Sequence, residues 1–528
     1  MNVSNSWRWA LLCCLGVCLA GAAGAAVSLP HVFSDNMVLQ QKMPVPVWGW
    51  ADNGEAVKVS FAGQEKSATA DAEGNWMVKL DPLTADKTGK DLIVTGANTI
   101  TYKNVLVGEV WVCSGQSNME FSLNWGVLNG DAEKASAADT PIIRHIKIAY
   151  VHNALPQRDV DARWEVVTPD TIGNCTAAGY FFARELVKNL DVPVGLIDSN
   201  WGGTRIEAWI NREGYAAVPQ LINSSRQVEN ALPDSEAGNK RYLDYLTAMK
   251  DWLAQSEKAV TAKHIPPPQP AAPWLEGDQQ QLTHLYNAKI NPLVPYAIHG
   301  ALWYQGEANG GDGIVYAHKM EALIRGWRQV WHEGDFPFYY VQLANFQTSD
   351  PNKPAMGDGW ANIRDAQLKA LDIPNTGMAV TIDIGDAGNI HPKDKQDVGK
   401  RLAAWALAKD FGKNIECSGP LYQKCLVEGN KIRISFDHAA NGLMVGSKTG
   451  LDPVQAVADG KVKWISIAGA DKQFYWADAV IEGSTLLVSS DKVPVPVAVR
   501  YAFAMNPQGA NLYNKDGFPA SPFRTDNW

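Results

Sequence analysis

The sequence predicts an α/β protein with a mostly parallel central sheet, flanked by a small β-domain at each end. Three observations carry this. Between about residues 106 and 420, apolar strand-like runs alternate with amphipathic helical runs. Residues 27–105 and 421–528 are instead dominated by short alternating strands and turns. The length, 528 residues, exceeds what one core normally closes around and suggests two or three domains.

Taken in order, the first 26 residues stand apart. Arg8 precedes the apolar run "ALLCCLGVCLAGAAGAA", and Ala23-Gly24-Ala25 resembles a small-residue cleavage site. This pattern predicts an export signal cut after Ala25 or Ala26, placing the mature protein in a periplasm or outside the cell. The run is short for a membrane anchor and has no charged stop behind it. No second long apolar stretch follows, so no membrane association is expected once the signal is removed. Four cysteines remain after it: Cys113, Cys175, Cys417 and Cys425. Export permits a Cys417–Cys425 disulfide, and four buried thiols are an equal reading.

Residues 27–105 carry "VPVWGW", "AVKVSFAG", "DAEGNWMVKL" and "NTITYKNVLV", which read as strands of a β-sandwich domain. The pattern changes near Leu106. The strand "VLVGEVWVCS" is followed by helix "AAGYFFARELVKNL", strand "VPVGLIDSN", strand "AIHGALWYQGE" and helix "IVYAHKMEALIRGWRQVW". Strands "PFYYVQLANF" and "GMAVTIDIGD" and helix "KDKQDVGKRLAAWALAKDF" complete the 106–420 region. Residues from about 211 to 285 interrupt this alternation. A polar helical stretch there leads into the Pro-rich "HIPPPQPAAPW", so an insertion lying over the core is expected. From 421 the strands "KIRISF", "VKWISIAG", "TLLVSS" and "VAVRYAF" predict the second β-domain.

Composition narrows the function classes. With 46% hydrophobic and 20% charged residues the chain is globular rather than disordered. A formal net charge of −9 gives no general support for nucleic-acid binding, so no nucleic-acid partner is expected. No Cys/His spacing resembles a zinc site, and neither metal nor cofactor is expected.

In parallel α/β sheets, ligands gather at the carboxyl ends of the strands. Four such ends carry reactive or polar residues. The first is Ser114-Gly115-Gln116-Ser117-Asn118, where Gly115 permits a turn with positive φ. Ser117 can then begin a helix, among free backbone N–H groups that favour an oxyanion. On this stretch alone, a simple N-cap is the stronger reading of either serine. The second is "DSNWGGTRIEAW": Gly202-Gly203 can expose amides, Trp201 or Trp209 could offer a face to a sugar, and Arg205 and Glu207 bind ligand or each other. The third is "WYQGEANG", where Gln305 can aim an amide N–H at developing charge and Glu307 can anchor a hydrogen bond. The fourth is "DIGDAGNIHPKDKQD", where His391 precedes a proline and a helix and suits general-base work.

Together, the order serine, glycine, glutamine, histidine resembles the SGNH hydrolase superfamily. More closely, "GEVWVCSGQSNMEF", "VPVGLIDSNWGGTRIEAW", "LYNAKINPLVPYAIHGALWYQGEAN" and "DIGDAGNIHPKDKQDVGKRLA" are similar to the sialate O-acetylesterase family of carbohydrate acetylesterases. The resemblance starts near Leu29 and runs to the end of the chain. It implies an SGNH-like three-layer core with Ser117 as nucleophile, Ser114 supporting the turn and His391 as base. The Ser117 amide, one amide of Gly202-Gly203 and the Gln305 side chain would form the oxyanion hole. Gln116, Asn118, Arg205, Glu207, Trp209 and Glu307 would line the substrate side. Gln116 and Gln305 replace the Asp and Asn common in the wider superfamily and fit this family. The usual spacing puts an acid three residues before the histidine, where this chain has Gly388. Asp386 is therefore the candidate to orient His391, with Asp383 second and a Ser–His dyad the alternative.

The function implied is hydrolysis of O-acetyl groups on a sugar or glycan, with sialate the family's named substrate. Acetylated xylan or xyloglucan is a second enzymatic reading. A carbohydrate-binding protein without catalysis is a third, which the Ser117/His391 pair opposes.

Overall fold

The computed structural model describes residues 26–139, 141–273 and 277–528. The expected signal, up to residue 25, lies outside the described residues. Among the described residues no helix is long and apolar enough to cross a membrane.

An eleven-stranded mixed sheet organises the fold. Its central path runs Thr376–Ala379, Phe338–Val341, Gly300–Tyr304, Thr99–Gly115, Val194–Asn200 and Ile143–Lys147, with each neighbouring pair parallel. Trp164–Val166 closes one edge antiparallel. The expectation of a mostly parallel sheet needs correction, because Thr99–Gly115 is one 17-residue strand that serves two regions. Its first half pairs antiparallel with Asp86–Thr95, which brings Ala56–Phe61 and Gln64–Thr69 into the same sheet. The change of pattern near Leu106 is thus a change of burial within a strand. Residues before it are half or fully exposed, and Val105 onward is buried throughout.

That buried stretch is apolar on alternate residues of both faces because helices cover both. Trp111 and Cys113 face Phe181, Phe182 and Leu186 of helix Ala177–Leu190 and Val398 and Leu402 of helix Lys395–Lys409. Val110 and Val112 point to the opposite cluster, with Trp303, Met320, Leu323 and Trp327, the last three from helix Val315–Trp331. The two helices on the first face approach closely at Gly399, where a Cβ would sit 2.5 Å from that of Phe181. The strand Ile143–Lys147 escaped the sequence reading, since buried Arg144 and His145 interrupt its apolar pattern.

The C-terminal region forms separate antiparallel sheets around Ile432, Ile434, Leu486, Val488 and Val499. Arg364, buried completely, ties the region to the core by donating to the carbonyls of Leu343, Ala344, Ala504 and Met505. The interruption contains helices Ile222–Ala231 and Glu236–Thr261, the latter buried only at Gly238. The Pro-rich run folds back on it, with Trp252 Nε1 donating to Pro267 O at 2.8 Å. Cys113, Cys175, Cys417 and Cys425 are free thiols.

Candidate active site

The parallel strands end in register. Ser114 lies opposite Ser199 and Trp303, and Gly115 opposite Asn200 and Tyr304. Gly115 then takes φ +138°, and a Cβ there would lie 2.2 Å from Tyr304 O. Only glycine fits, as the turn requires. The Gln116 N–H donates to Tyr304 O and the Trp201 N–H to Gly115 O, so both neighbouring strands clamp the turn. Ser117 is the first residue of the short helix Ser117–Glu120, whose opening amides have no acceptor within the helix.

Ser117 Oγ lies 2.8 Å from His391 Nε2, across 274 positions of sequence. Ser114, by contrast, is fully buried in the strand, and its hydroxyl has no hydrogen-bond partner among the described residues. Asn389 Oδ1 accepts the His391 N–H at 2.9 Å and braces the histidine loop. The rings of Phe121 and Trp125 each lie 6.3 Å from the imidazole. Burial, helped by the charge of Lys395 and opposed by Glu120, lowers the His391 pKa from 6.5. The neutral, proton-accepting form is thereby favoured.

The carboxylates expected behind the histidine are placed elsewhere. Asp386 is exposed, and its Oδ1 accepts the Gly388 N–H at 2.8 Å. Asp383 is buried against Arg401, with contacts of 2.6 and 2.8 Å. No carboxylate hydrogen-bonds His391 among the described residues, so the geometry present is a Ser–His dyad. A turn that needs the Asp386 side chain for its own amide leaves that carboxylate committed.

Gln305 also differs from expectation. It is fully buried, and its Nε2 lies 3.0 Å from Gln116 Oε1, 3.1 Å from Thr204 O and 2.7 Å from Asn309 Oδ1. Its two N–H bonds are already claimed by three acceptors, so the amide ties loops together rather than facing a substrate oxygen. Gln116 is buried for the same reason: its Oε1 also accepts the Ala308 N–H at 3.2 Å. Asn118 is buried too, donating to Glu307 Oε1 at 2.6 Å and Ile390 O at 3.0 Å. Gln116, Asn118 and Glu307 therefore brace the site from behind.

At the glycine loop, Gly202 N–H donates to Glu120 Oε2 at 2.5 Å. Gly203 has φ +71° and open space at its Cβ position, and its N–H has no acceptor among the described residues. The insertion reaches this loop through Gln280, which accepts the Arg205 N–H and donates to Gly203 O. Arg205 pairs with Glu207 at 2.9 Å and Asp312 at 3.2 Å, and Lys319 joins both carboxylates. Trp201 stays partly exposed beside Tyr150, at 5.2 Å between ring centroids.

Trp209 is not a sugar platform. It is fully buried, edge-on to Trp303, with Nε1 donating to Thr204 Oγ1. An indole this large is worth most inside. Trp209→Ala is expected to cost about 3–5 kcal/mol of stability by denaturant titration, the range for a large aromatic lost from a core.

Glu120, Trp125 and Tyr150 were not singled out from sequence. They line a cavity of about 530 Å³ beside the serine helix, together with Lys147, Arg163, Asp161 and Glu165. A signal for Glu120 existed: it follows Ser117 by three residues, one helical turn.

Comparisons with known proteins place the chain among carbohydrate esterases. The model of a carbohydrate esterase family, sialic acid-specific acetylesterase, matches residues 107–236 and 271–408. The gap between those segments holds most of the helix Glu236–Thr261 and the start of the Pro-rich run. The chain is 30% identical to a sialate O-acetylesterase of Rattus norvegicus, covering 93% of each chain. It is 29% identical to one of Homo sapiens, over 95% of this chain and 93% of that one. A crystal structure of a carbohydrate acetylesterase from Xanthomonas citri is similar at 35% identity and a TM-score of 0.76, covering 95% of this chain and all of that one.

Proposed function

The chain belongs to the sialic acid-specific acetylesterase family of carbohydrate esterases, and we propose that it cleaves O-acetyl esters of sugars through Ser117 and His391. It is a carboxylic ester hydrolase acting in carbohydrate O-deacetylation. The observation that carries the residue assignment is the 2.8 Å contact between Ser117 Oγ and His391 Nε2.

In the proposed reaction, His391 Nε2 takes the Ser117 proton as Oγ attacks the acetyl carbonyl carbon. The carbonyl π electrons move to oxygen, and the amides of Ser117 and Gly203 hold that oxyanion. Collapse expels the sugar oxygen, which takes the proton from His391, and leaves acetyl-Ser117. Water, deprotonated by His391, then attacks the acetyl group, and acetate leaves as the proton returns to Ser117. The Gly202 amide can join the oxyanion hole only if Glu120 releases it.

We assign the sheet-and-helix core to an SGNH-type three-layer esterase domain, residues 106–420. Residues 27–105 and 421–528 are the flanking β-domains, and residues 1–26 an export signal. The proposed substrate is an O-acetylated sialate. Its carboxylate would lie in the cavity beside Glu120, near Arg163, whose charge also acts on Glu165 of the same cavity. A neutral acetylated plant polysaccharide is the second reading, favoured by the engagement of Arg205 with Glu207 and Asp312. Acetate release from O-acetylated sialic acid and from acetylated xylan separates the two. Sialate should be the better substrate, and Arg163→Ala should raise its KM with kcat largely kept. Faster release from xylan, indifferent to Arg163, would give the second reading.

A further inference from the structure

Behind the serine–histidine pair lies a charged group that the acyl-transfer steps leave idle. Lys395 is completely buried at the start of helix Lys395–Lys409. Its Nζ donates to Asn118 Oδ1 at 2.6 Å and lies 4.7 and 5.2 Å from the ring centroids of Phe121 and Tyr304. Among the described residues no carboxylate pairs with it. Burying an ammonium without a paired anion is costly, and such a cost calls for a return elsewhere.

The Asn118 amide shows where the return lies. Asn118 follows Ser117 and donates to the carbonyl of Ile390, the residue before His391. Its other contact is Glu307 Oε1. Lys395, a donor only, fixes which end of the amide is oxygen, so the NH₂ group must face Ile390 and Glu307. One lysine thus sets the side chain that joins the nucleophile's turn to the base's loop.

We propose that Lys395 is a positioning residue for the esterase reaction: its ammonium orients Asn118 between the Ser117 and His391 loops and sits against Phe121, the ring that also packs beside the His391 imidazole. This rests on the Ser117–His391 reading above.

The Lys395 charge acts on the imidazole, and the surrounding acids, Glu307 and Asp394 at Lys395 and Glu120 at His391, oppose it only in part. Glu307, from the loop after strand Gly300–Tyr304, is pushed up by burial toward its neutral form. Asp394, in the turn before the helix, is raised to about 6 by burial and by Asp397, which is itself paired with Lys448. Tyr304 is held neutral by burial. Arg184, on the helix packed alongside, is tied to Glu133. Glu120, on the serine helix, is the group that opposes Lys395 at His391. Burial draws Lys395 itself down to about 7, so it is charged in the acidic range where His391 gains its proton.

The test is the His391 titration, read by NMR of ¹³C-labelled imidazole and assigned by the signal lost in His391→Gln. Lys395→Met and Lys395→Gln should raise the His391 midpoint above that of the wild type and move the acid limb of kcat/KM upward. Lys395→Gln can still donate to Asn118, so it preserves the fold if Lys395→Met does not and separates charge from hydrogen bond. An unmoved midpoint in a folded neutral variant, with activity reduced equally at all pH, overturns the proposal. The NMR readout needs no turnover, so failure here is distinct from failure of the Ser117 assignment, which would appear as activity surviving Ser117→Ala.

Discussion

Ser117→Ala is expected to lower kcat/KM on 4-nitrophenyl acetate by about four to six orders of magnitude, with circular dichroism and melting temperature unchanged. The size follows from losing the nucleophile outright: no acetyl-enzyme can form, and what remains is catalysis by the oxyanion donors and binding. The fold should be indifferent, because the hydroxyl contacts the His391 ring rather than a core partner. Ser114 cannot substitute. It is fully buried three residues earlier, in the strand paired with Ser199 and Trp303. Activity retained in Ser117→Ala would remove the acyl-enzyme route altogether.

His391→Gln is expected to cost at least about 10⁴-fold in kcat/KM, since the serine proton then has no base of suitable basicity within reach. Asp386→Asn should stay within about threefold, because that carboxylate serves the Gly388 amide rather than the imidazole. The pair of variants separates a dyad from a triad: a loss of several thousandfold in Asp386→Asn would mean that the loop rearranges to bring the acid in. The pH profile carries a sign as well. Burial and Lys395 lower the His391 pKa, so the base becomes competent below 6.5. Activity therefore rises with pH along an acid limb whose midpoint lies under the ordinary imidazole value. A midpoint above 6.5 would contradict the electrostatics of the site.

Much of this was legible because chemistry at a strand end breaks an apolar run. "EVWVCSGQSN" stops at small polar residues, and the same break precedes Gly202, Gln305 and the histidine loop. The structure places three of those four loops at the C-terminal ends of adjacent parallel strands. What remained hidden depended on partners supplied by distant segments. The Gln305 amide gives no sign in sequence that Gln116, Thr204 and Asn309 converge on it. Trp209 looks the same in a string whether it faces a sugar or Trp303. Asp386 sits at a plausible distance from His391 along the chain, but a two-residue turn around its carboxylate decides where that group points. Lys395 lay in plain view within the histidine motif, and a lysine near a helix start ordinarily reads as surface. Its burial comes from Phe121 and Tyr304, far off in sequence. The mixed sheet was missed for a different reason. Strand Thr99–Gly115 changes its burial pattern halfway, which looks like a boundary between elements.

The most direct measurement is mass spectrometry of the protein after reaction with a fluorophosphonate, which forms a stable ester with an activated serine. The adduct should fall on Ser117 alone, and it should be lost in Ser117→Ala and strongly slowed in His391→Gln. An adduct on another serine, or full labelling of Ser117 in the absence of His391, would contradict the pairing of these two residues in one working site.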